Sequence, residues 1–262
     1  MTRLPHSTNV SRTSSFALIA GFLLPAIASA DTLRPLSTDR PDTTESPHTV
    51  DCGHFQFEME VGNWQRDGGN NTFNFGELNA KIGLARNTDL QLVLPAFTHE
   101  ESGAEGFGEM EIRLKQNLWG NDDGPTALAL MPFIKLPTAS GDLGNGELEG
   151  GLIVPFGFDG PAGWNCAVMG EIDLALDDDG SGYHPVFVTS ATTSHALTEQ
   201  TAAFFEVVGV FNTEATSENE AYFNIGCTWA PFETFQLDGG VRIGLTDAST
   251  DVTPFLGMSV KW

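Results

Sequence analysis

The stretch from Phe235 to Trp262 sets the tightest limit on what this chain can become. Taken in steps of two, Phe235, Leu237, Gly239, Val241, Ile243 and Leu245 share one face, and Gln236, Asp238, Gly240, Arg242 and Gly244 share the other. That is the period of a strand. After Thr246-Asp-Ala-Ser-Thr250 the alternation resumes through Val252, Pro254, Leu256, Met258, Val260 and Trp262. Each run is about ten residues, the length a tilted strand needs to cross a bilayer. An antiparallel sheet in water alternates in the same way. Two architectures therefore follow: a membrane barrel that closes on its final strand, and a secreted sandwich that ends in a hairpin.

Similar runs recur along the chain, roughly from His54, Thr72, Thr88, Phe107, Pro125, Glu147, Trp164, His184, Thr201 and Ala221. With the last two they make about twelve strands, an even number, as single-chain bacterial barrels have. Short connections (Arg86-Asn87, Gly160-Pro-Ala162, Leu197 to Gln200, Pro231-Phe-Glu233) alternate with longer polar ones such as Gln65 to Asn71, Thr138 to Gly146 and Asn212 to Glu220. Periplasmic turns and outer loops of a barrel differ in this sense. The expected fold is all-β: a transmembrane antiparallel barrel over residues 54–262, with no linker that would divide it.

Residues 1–30 have the parts of a secretory signal: Arg3 and Arg12, the apolar run Phe16 to Leu24, and Ala28-Ser-Ala30 before Asp31. Beyond them the longest apolar run, Ala127 to Ile134, is interrupted by Pro132. Helical spans are excluded, so any lipid contact must come through strands. Twelve basic against 35 acidic residues give a net charge of −23, which argues against nucleic acid as a partner. The three cysteines cannot all pair, and no structural disulfide is expected.

Side-chain parity sorts the charges. In Glu109-Met-Glu-Ile-Arg-Leu-Lys115 every odd position is charged and every even one aliphatic. A basic side chain facing mid-bilayer lipid costs roughly 2–4 kcal/mol, so Arg113, Lys115 and Arg242 are expected to point inward. Glu109, Glu111, Glu171, Asp173 and Asp238 share their parity and complete an inward charge ladder with an acidic excess. Buried charges must be paired or hydrated, so the lumen is either a wet passage or a salt-bridged plug. Trp64, Trp119, Trp164, Trp229 and Trp262 fall near strand ends, where an interfacial belt would put them.

Residues 31–53 form a lead-in, rich in Thr, Asp, Ser and Pro from Thr38 to Pro47, which reads as turns. Here the chain resembles a known family. Thr38-Asp-Arg-Pro-Asp42, Thr44-Glu-Ser-Pro47 and Gly53-His-Phe-Gln-Phe-Glu58 are similar to the opening of the outer-membrane transporter proteins grouped under the meta-pathway of phenol degradation. Lys135-Leu-Pro-Thr138, Gln236-Leu-Asp238 and Gly244-Leu-Thr246 extend the likeness over the whole exported chain. The resemblance implies a Gram-negative outer-membrane barrel passing small solutes, with aromatic or hydrophobic compounds as the class its label suggests. It draws attention to Asp39, Arg40, Asp42 and Glu45 of the lead-in and, as the membrane-insertion terminus, to Trp262. The expected partners are outer-membrane lipid, the barrel-assembly machinery and small-molecule solutes.

No catalytic group is expected. Ser194 and His195 point to opposite faces at a one-residue step. Asp177-Asp-Asp-Gly-Ser-Gly182 looks like a calcium loop, but an EF-hand alignment puts Ala175 first and Val186 last, where carboxylates are needed. No cofactor or metal is expected. A non-transporting, plugged surface barrel and a secreted soluble sandwich stand as the alternatives to a passive channel.

Overall fold

The computed structural model describes residues 33–101 and 103–262; the expected signal, residues 1–30, lies outside them. Fourteen strands run along the chain: β1 (Phe55–Asp67), β2 (Asn70–Ala85), β3 (Thr88–Leu94), β4 (Phe97–Glu100), β5 (Glu105–Phe107), β6 (Met110–Trp119) and β7 (Thr126–Leu136). There follow β8 (Glu149–Asp159), β9 (Trp164–Leu176), β10 (Tyr183–Ala196), β11 (Thr201–Asn212), β12 (Glu220–Phe232), β13 (Phe235–Gly244) and β14 (Val252–Lys261). Each pairs antiparallel with its neighbours, and β1 pairs with both β2 and β14, which closes the sheet. Trp262 completes the closure by exchanging backbone hydrogen bonds with Phe55 at 2.9 and 3.1 Å.

Two of the expected strands are broken. Pro95-Ala96 separates β3 from β4, and Gly108-Glu109 separates β5 from β6. Because each pair of segments continues one line of chain, the sheet is a closed barrel of twelve staves. The expected long connection from Gln65 to Asn71 is instead mostly strand: β1 and β2 meet across Gly68-Gly69, with φ of 54° and 99°. These left-handed angles suit glycine and make the tight hairpin possible.

Exposure is inverted relative to a protein in water. Leu90, Leu114, Val168, Ile172, Val207 and Leu256 are among the exposed apolar side chains, while Lys115, Glu58, Glu206 and Asp89 are almost wholly buried. A two-layer sandwich would bury the first set and expose the second. Among the described residues no helix is long and apolar enough to cross a membrane. The barrel crosses with strands, each paired with a neighbour on both sides around the ring.

Four of the five tryptophans (119, 164, 229 and 262) stand at the short-turn end, and Trp64 stands toward the other. Trp262 meets Phe57 edge-to-face at 5.0 Å. All three cysteines are free thiols.

Candidate functional site: a charged strap inside the lumen

The lead-in enters the barrel from the short-turn end, turns around near Arg40–Glu45, and returns to begin β1. Its rising limb is held first at the mouth. Arg34 Nε donates to Asp51 Oδ1 at 2.8 Å, and Lys261 Nζ donates to Asp51 Oδ2 at 2.7 Å. Deeper in, Asp39 lies between two inward lysines. It takes Lys115 at 2.7 Å and also pairs with Lys81, which bridges to Glu58. Glu58 in turn accepts the backbone N–H groups of Asp39 and Arg40 at 2.9 and 3.0 Å. Burial alone would raise the Asp39 pKa, but the Lys115 and Lys81 ammonium groups outweigh it and hold the carboxyl far below the usual carboxylate range.

At the apex Arg40 forms pairs with Asp238 at 2.7 Å and Glu60 at 2.9 Å. Its guanidinium lies against Gly257 of β14, so close that any Cβ there would occupy its place. Thr43 and Thr44 deliver backbone N–H groups to Glu206 at 2.9 and 2.7 Å, and the Thr44 hydroxyl adds a bond of 2.6 Å. Asp42 accepts from the Thr192 hydroxyl at 2.7 Å, and its second carboxylate oxygen is buried without a partner. Burial first, then repulsion from Glu206, pushes the Asp42 pKa up to about 7. Glu45 receives Arg113 at 2.6 Å.

The returning limb satisfies its backbone on the wall. Pro47 O accepts from Asn117, Thr49 N–H donates to Asn121, and Val50 N–H donates to Asp89. Opposite the charged walls the inner face is apolar, with Met131, Ile153 and Met169 buried together. Alternation does not mark this sector, because both faces of β7 are apolar there. Glu45 N–H lies 3.4 Å from Met169 Sδ.

The expected charge ladder divides into two groups by its partners. Lys115 and Asp238 are engaged by the strap, and Arg113 joins strap to wall by holding both Glu45 and Glu111, the latter at 2.7 Å. Glu109 pairs with Lys135 at 3.2 Å, and Arg242 with Glu60 at 2.7 Å. Arg242 also lies 4.4 Å over the Phe255 ring. Glu171 faces Asp173, Glu45 and Arg113, and one oxygen of Asp173 is buried without a partner.

Two cavities flank the strap. One, about 330 Å³, opens toward the short-turn end between Asp42–His48 and the β7–β10 wall. The other, about 410 Å³, lies toward the long-loop end and includes Glu60, Glu77 and Arg242. At the outer rim His184 Nδ1 sits 2.9 Å from Asp177 Oδ1 and 3.6 Å from Glu214 Oε2. Ser194 lines the lower cavity, whereas His195 stacks on Trp164 with ring centres 4.9 Å apart.

A closed twelve-stave ring with apolar side chains outside and ion pairs inside defines a β-barrel of the outer-membrane type. The sequence model of the family described as "Putative MetA-pathway of phenol degradation" matches residues 38–262, and the chain belongs to that family. Among solved structures it is similar to an outer membrane channel from Pseudomonas putida F1, with a TM-score of 0.64 and 13% identity. That match covers 86% of this chain and all of the other. It is also similar to the NanC porin, with a TM-score of 0.57 and 7% identity over 79% of this chain and all of the porin. No curated protein sequence matches.

Proposed function

We propose that the protein is a passive outer-membrane channel for small solutes whose axial path is held closed by the strap of residues 33–53. The observation that carries this is the placement of Asp39, Arg40 and Glu45 in ion pairs with inward residues of β1, β2, β6 and β13, between the two cavities. Twelve staves enclose little free width, so a segment of chain in the lumen leaves no open axial pore. Conduction then requires the strap to shift or leave.

Above the strap Glu77, Glu111, Glu171 and Asp173 outnumber Arg113 and Arg242, which favours cations and neutral molecules over anions. These acids are the residues we assign to selectivity, whereas Lys115, Asp238, Asp39, Arg40, Asp42 and Glu45 hold the strap. The family description and the similarity to an outer membrane channel support passage, with aromatic compounds as the proposed solute class. We assign the protein no catalytic step, in keeping with the opposite placement of Ser194 and His195. Export by residues 1–30 and membrane insertion guided by the terminal Trp262 strand belong to the same reading.

The test is planar-bilayer conductance of the wild type beside a variant lacking residues 33–51, with heat-modified gel mobility reporting a folded barrel. The expected result is small or rare openings in the wild type and a large, cation-preferring conductance in the deletion. Flux no greater than lipid alone in both would instead make this a non-transporting barrel.

A further inference from the structure

On the long-loop side, the wall formed by β1–β6 is not a continuous ladder. β3 pairs with β6 as far as Val93 opposite Glu111, and β4 pairs with β5 from Phe97 opposite Phe107. The register is the same on both sides, so the positions Leu94/Met110, Pro95/Glu109 and Ala96/Gly108 are skipped. In the next inter-strand space, β2 passes from Phe75 opposite Phe97 to Leu78 opposite Leu94, skipping Gly76 and Glu77. In the space beyond, β1 and β2 miss the Val61/Gly76 position, where β1 also slips one residue against β14. The interruptions lie side by side and form one transverse seam.

Local chemistry accounts for it. Pro95 has no N–H to give to a ladder, and Gly76 has φ of 78°, a left-handed angle that ends regular strand. The side-chain alternation changes phase across the seam. Glu60 and then Asn63 point inward on β1, and Asn74 and then Glu77 on β2, each pair an odd number of residues apart. Val93 and Thr98 do the same on β3 and β4. A one-residue slip exchanges the faces of a strand. The outer ends of four staves therefore form a flap with its own phase, showing Phe75 and Phe107 on its outside. Phe107 meets Phe97 edge-to-face at 5.3 Å.

Unpaired backbone at membrane depth is tolerated only where it lines protein or a wet cavity. Here it lines the upper cavity, whose lumen side presents Glu60, Glu77 and Arg242 and whose wall side is Pro95, Ala96 and Gly108. A molecule in that cavity meets the strap below it and, beside it, a stretch where the β3/β4 and β5/β6 staves share no ladder pair from Leu94/Met110 to Ala96/Gly108.

The geometry points to a lateral portal at this seam, by which a small apolar ring compound carrying one polar group passes between the upper cavity and the bilayer without crossing the strap. The inference rests on the reading of the protein as a solute passage and names its solute class. The polar group faces Arg242 and Glu77, and the ring passes Pro95 and Ala96 to reach the apolar outer face.

A bridge across the seam tests it. A β-carbon added at Gly108 would stand 3.4 Å from the Pro95 Cβ, at the short edge of the spacing that disulfides span. The double variant Pro95→Cys/Gly108→Cys is made with Cys52, Cys166 and Cys227 changed to serine. Its uptake of N-phenyl-1-naphthylamine into the outer membrane of cells is followed before and after reduction, with each single variant as control. Gel mobility reports folding, and ion conductance is measured on the same purified protein.

The expected result is loss of barrel-dependent uptake in the oxidised double variant, recovery on reduction, and unchanged ion conductance. Equal uptake in both redox states, with the wild type still admitting the probe, overturns the portal and leaves the passage reading standing. Loss of ion conductance together with uptake also overturns it, since the bridge would then act on the whole lumen. A wild type that raises uptake no higher than cells without the barrel sinks both readings.

Discussion

The two halves of the lumen handle charge in opposite ways. In the half toward the short turns three of the four strap carboxylates pair with lysine or arginine, namely Asp39, Glu45 and Asp51, and Asp42 keeps an oxygen with no partner. In the half toward the long loops the acids are in excess, and Asp173 keeps an oxygen with no partner. Buried ions must be paired or hydrated. The first half solves this by bringing in a segment of chain, whereas in the second the acids line an open cavity. The contrast separates a lock from a vestibule, although both are made of the same residue types at the same strand parity.

The hardest blow to the locked half is Lys115→Ala. It leaves Asp39 with one of its two cations in a site where Lys115 is only 1% exposed. Removing one partner of such a pair costs roughly 3–5 kcal/mol. The expected outcome is strap release, read as protease cleavage between residues 33 and 53 and as larger conductance. Replacing both charges, in Asp39→Asn/Lys115→Met, leaves no orphan and is expected to restore much of the docking. If the single variant stays as protected as the wild type, the pairing is not what holds the strap. A smaller effect is expected from Gly257→Val, which leaves every charge in place but takes the space of the Arg40 guanidinium. Leaving Asp238 and Glu60 imperfectly bonded costs about 1–3 kcal/mol, measured by the same protection assay.

Acidity acts on the lock through Asp42. Its pKa in the docked strap is about 7 against an ordinary 3.8, because burial and then Glu206 disfavour its charge. A carboxyl raised on docking contributes least where the free strap is ionised, so docking weakens as pH climbs from about 4 to 7 and levels off above. Asp39, shifted the opposite way, loses its contribution only below the ordinary carboxylate range. The channel is thus expected to be more firmly closed at pH 5 than at pH 8 in bilayer recordings. Glu45, which burial and then Asp39 push up to about 8, acts with the same sign. Asp42→Asn should therefore make the dependence shallower without abolishing it, and an unchanged slope in the variant would assign it to Glu45.

The barrel was legible because a charged residue cannot face lipid cheaply. Glu109, Glu111, Arg113 and Lys115 at alternate positions fixed one face of a strand, and Phe235 to Trp262 gave two more at membrane-spanning length. The seam was harder to see. Taking the runs that start at Thr88 and Phe107 as single period-two strands carries the alternation straight through Pro95 and Gly108, yet a proline or glycine inside a strand is the usual mark of a bulge or break. The destination of the strap was not readable at all. Thr38 to Pro47 spells turns in any setting, and the wall partners of Asp39, Arg40 and Thr44 lie 18 to 198 residues away. The apolar inner patch around Met131 escaped for a different reason: when both faces of a strand are apolar, parity says nothing about which one is inside.

The vestibule is tested most gently by Glu171→Gln, which keeps shape and removes one charge. Glu171 faces Asp173 across one strand step, with Glu45 and Arg113 beyond. Two acids so placed repel each other, so neutralising one relieves strain as much as it removes a favourable contact. Stability is expected to stay within about 0.5 kcal/mol of the wild type. The measurable change is in selectivity: the cation-to-anion permeability ratio, read from reversal potentials in a salt gradient in the strap-deleted background, should fall. Lys115→Ala in that same background should leave a smaller mark on the ratio than on docking, because its charge belongs to the lock. Equal shifts from the two variants would erase the distinction between the halves and make the lumen one continuous charged surface.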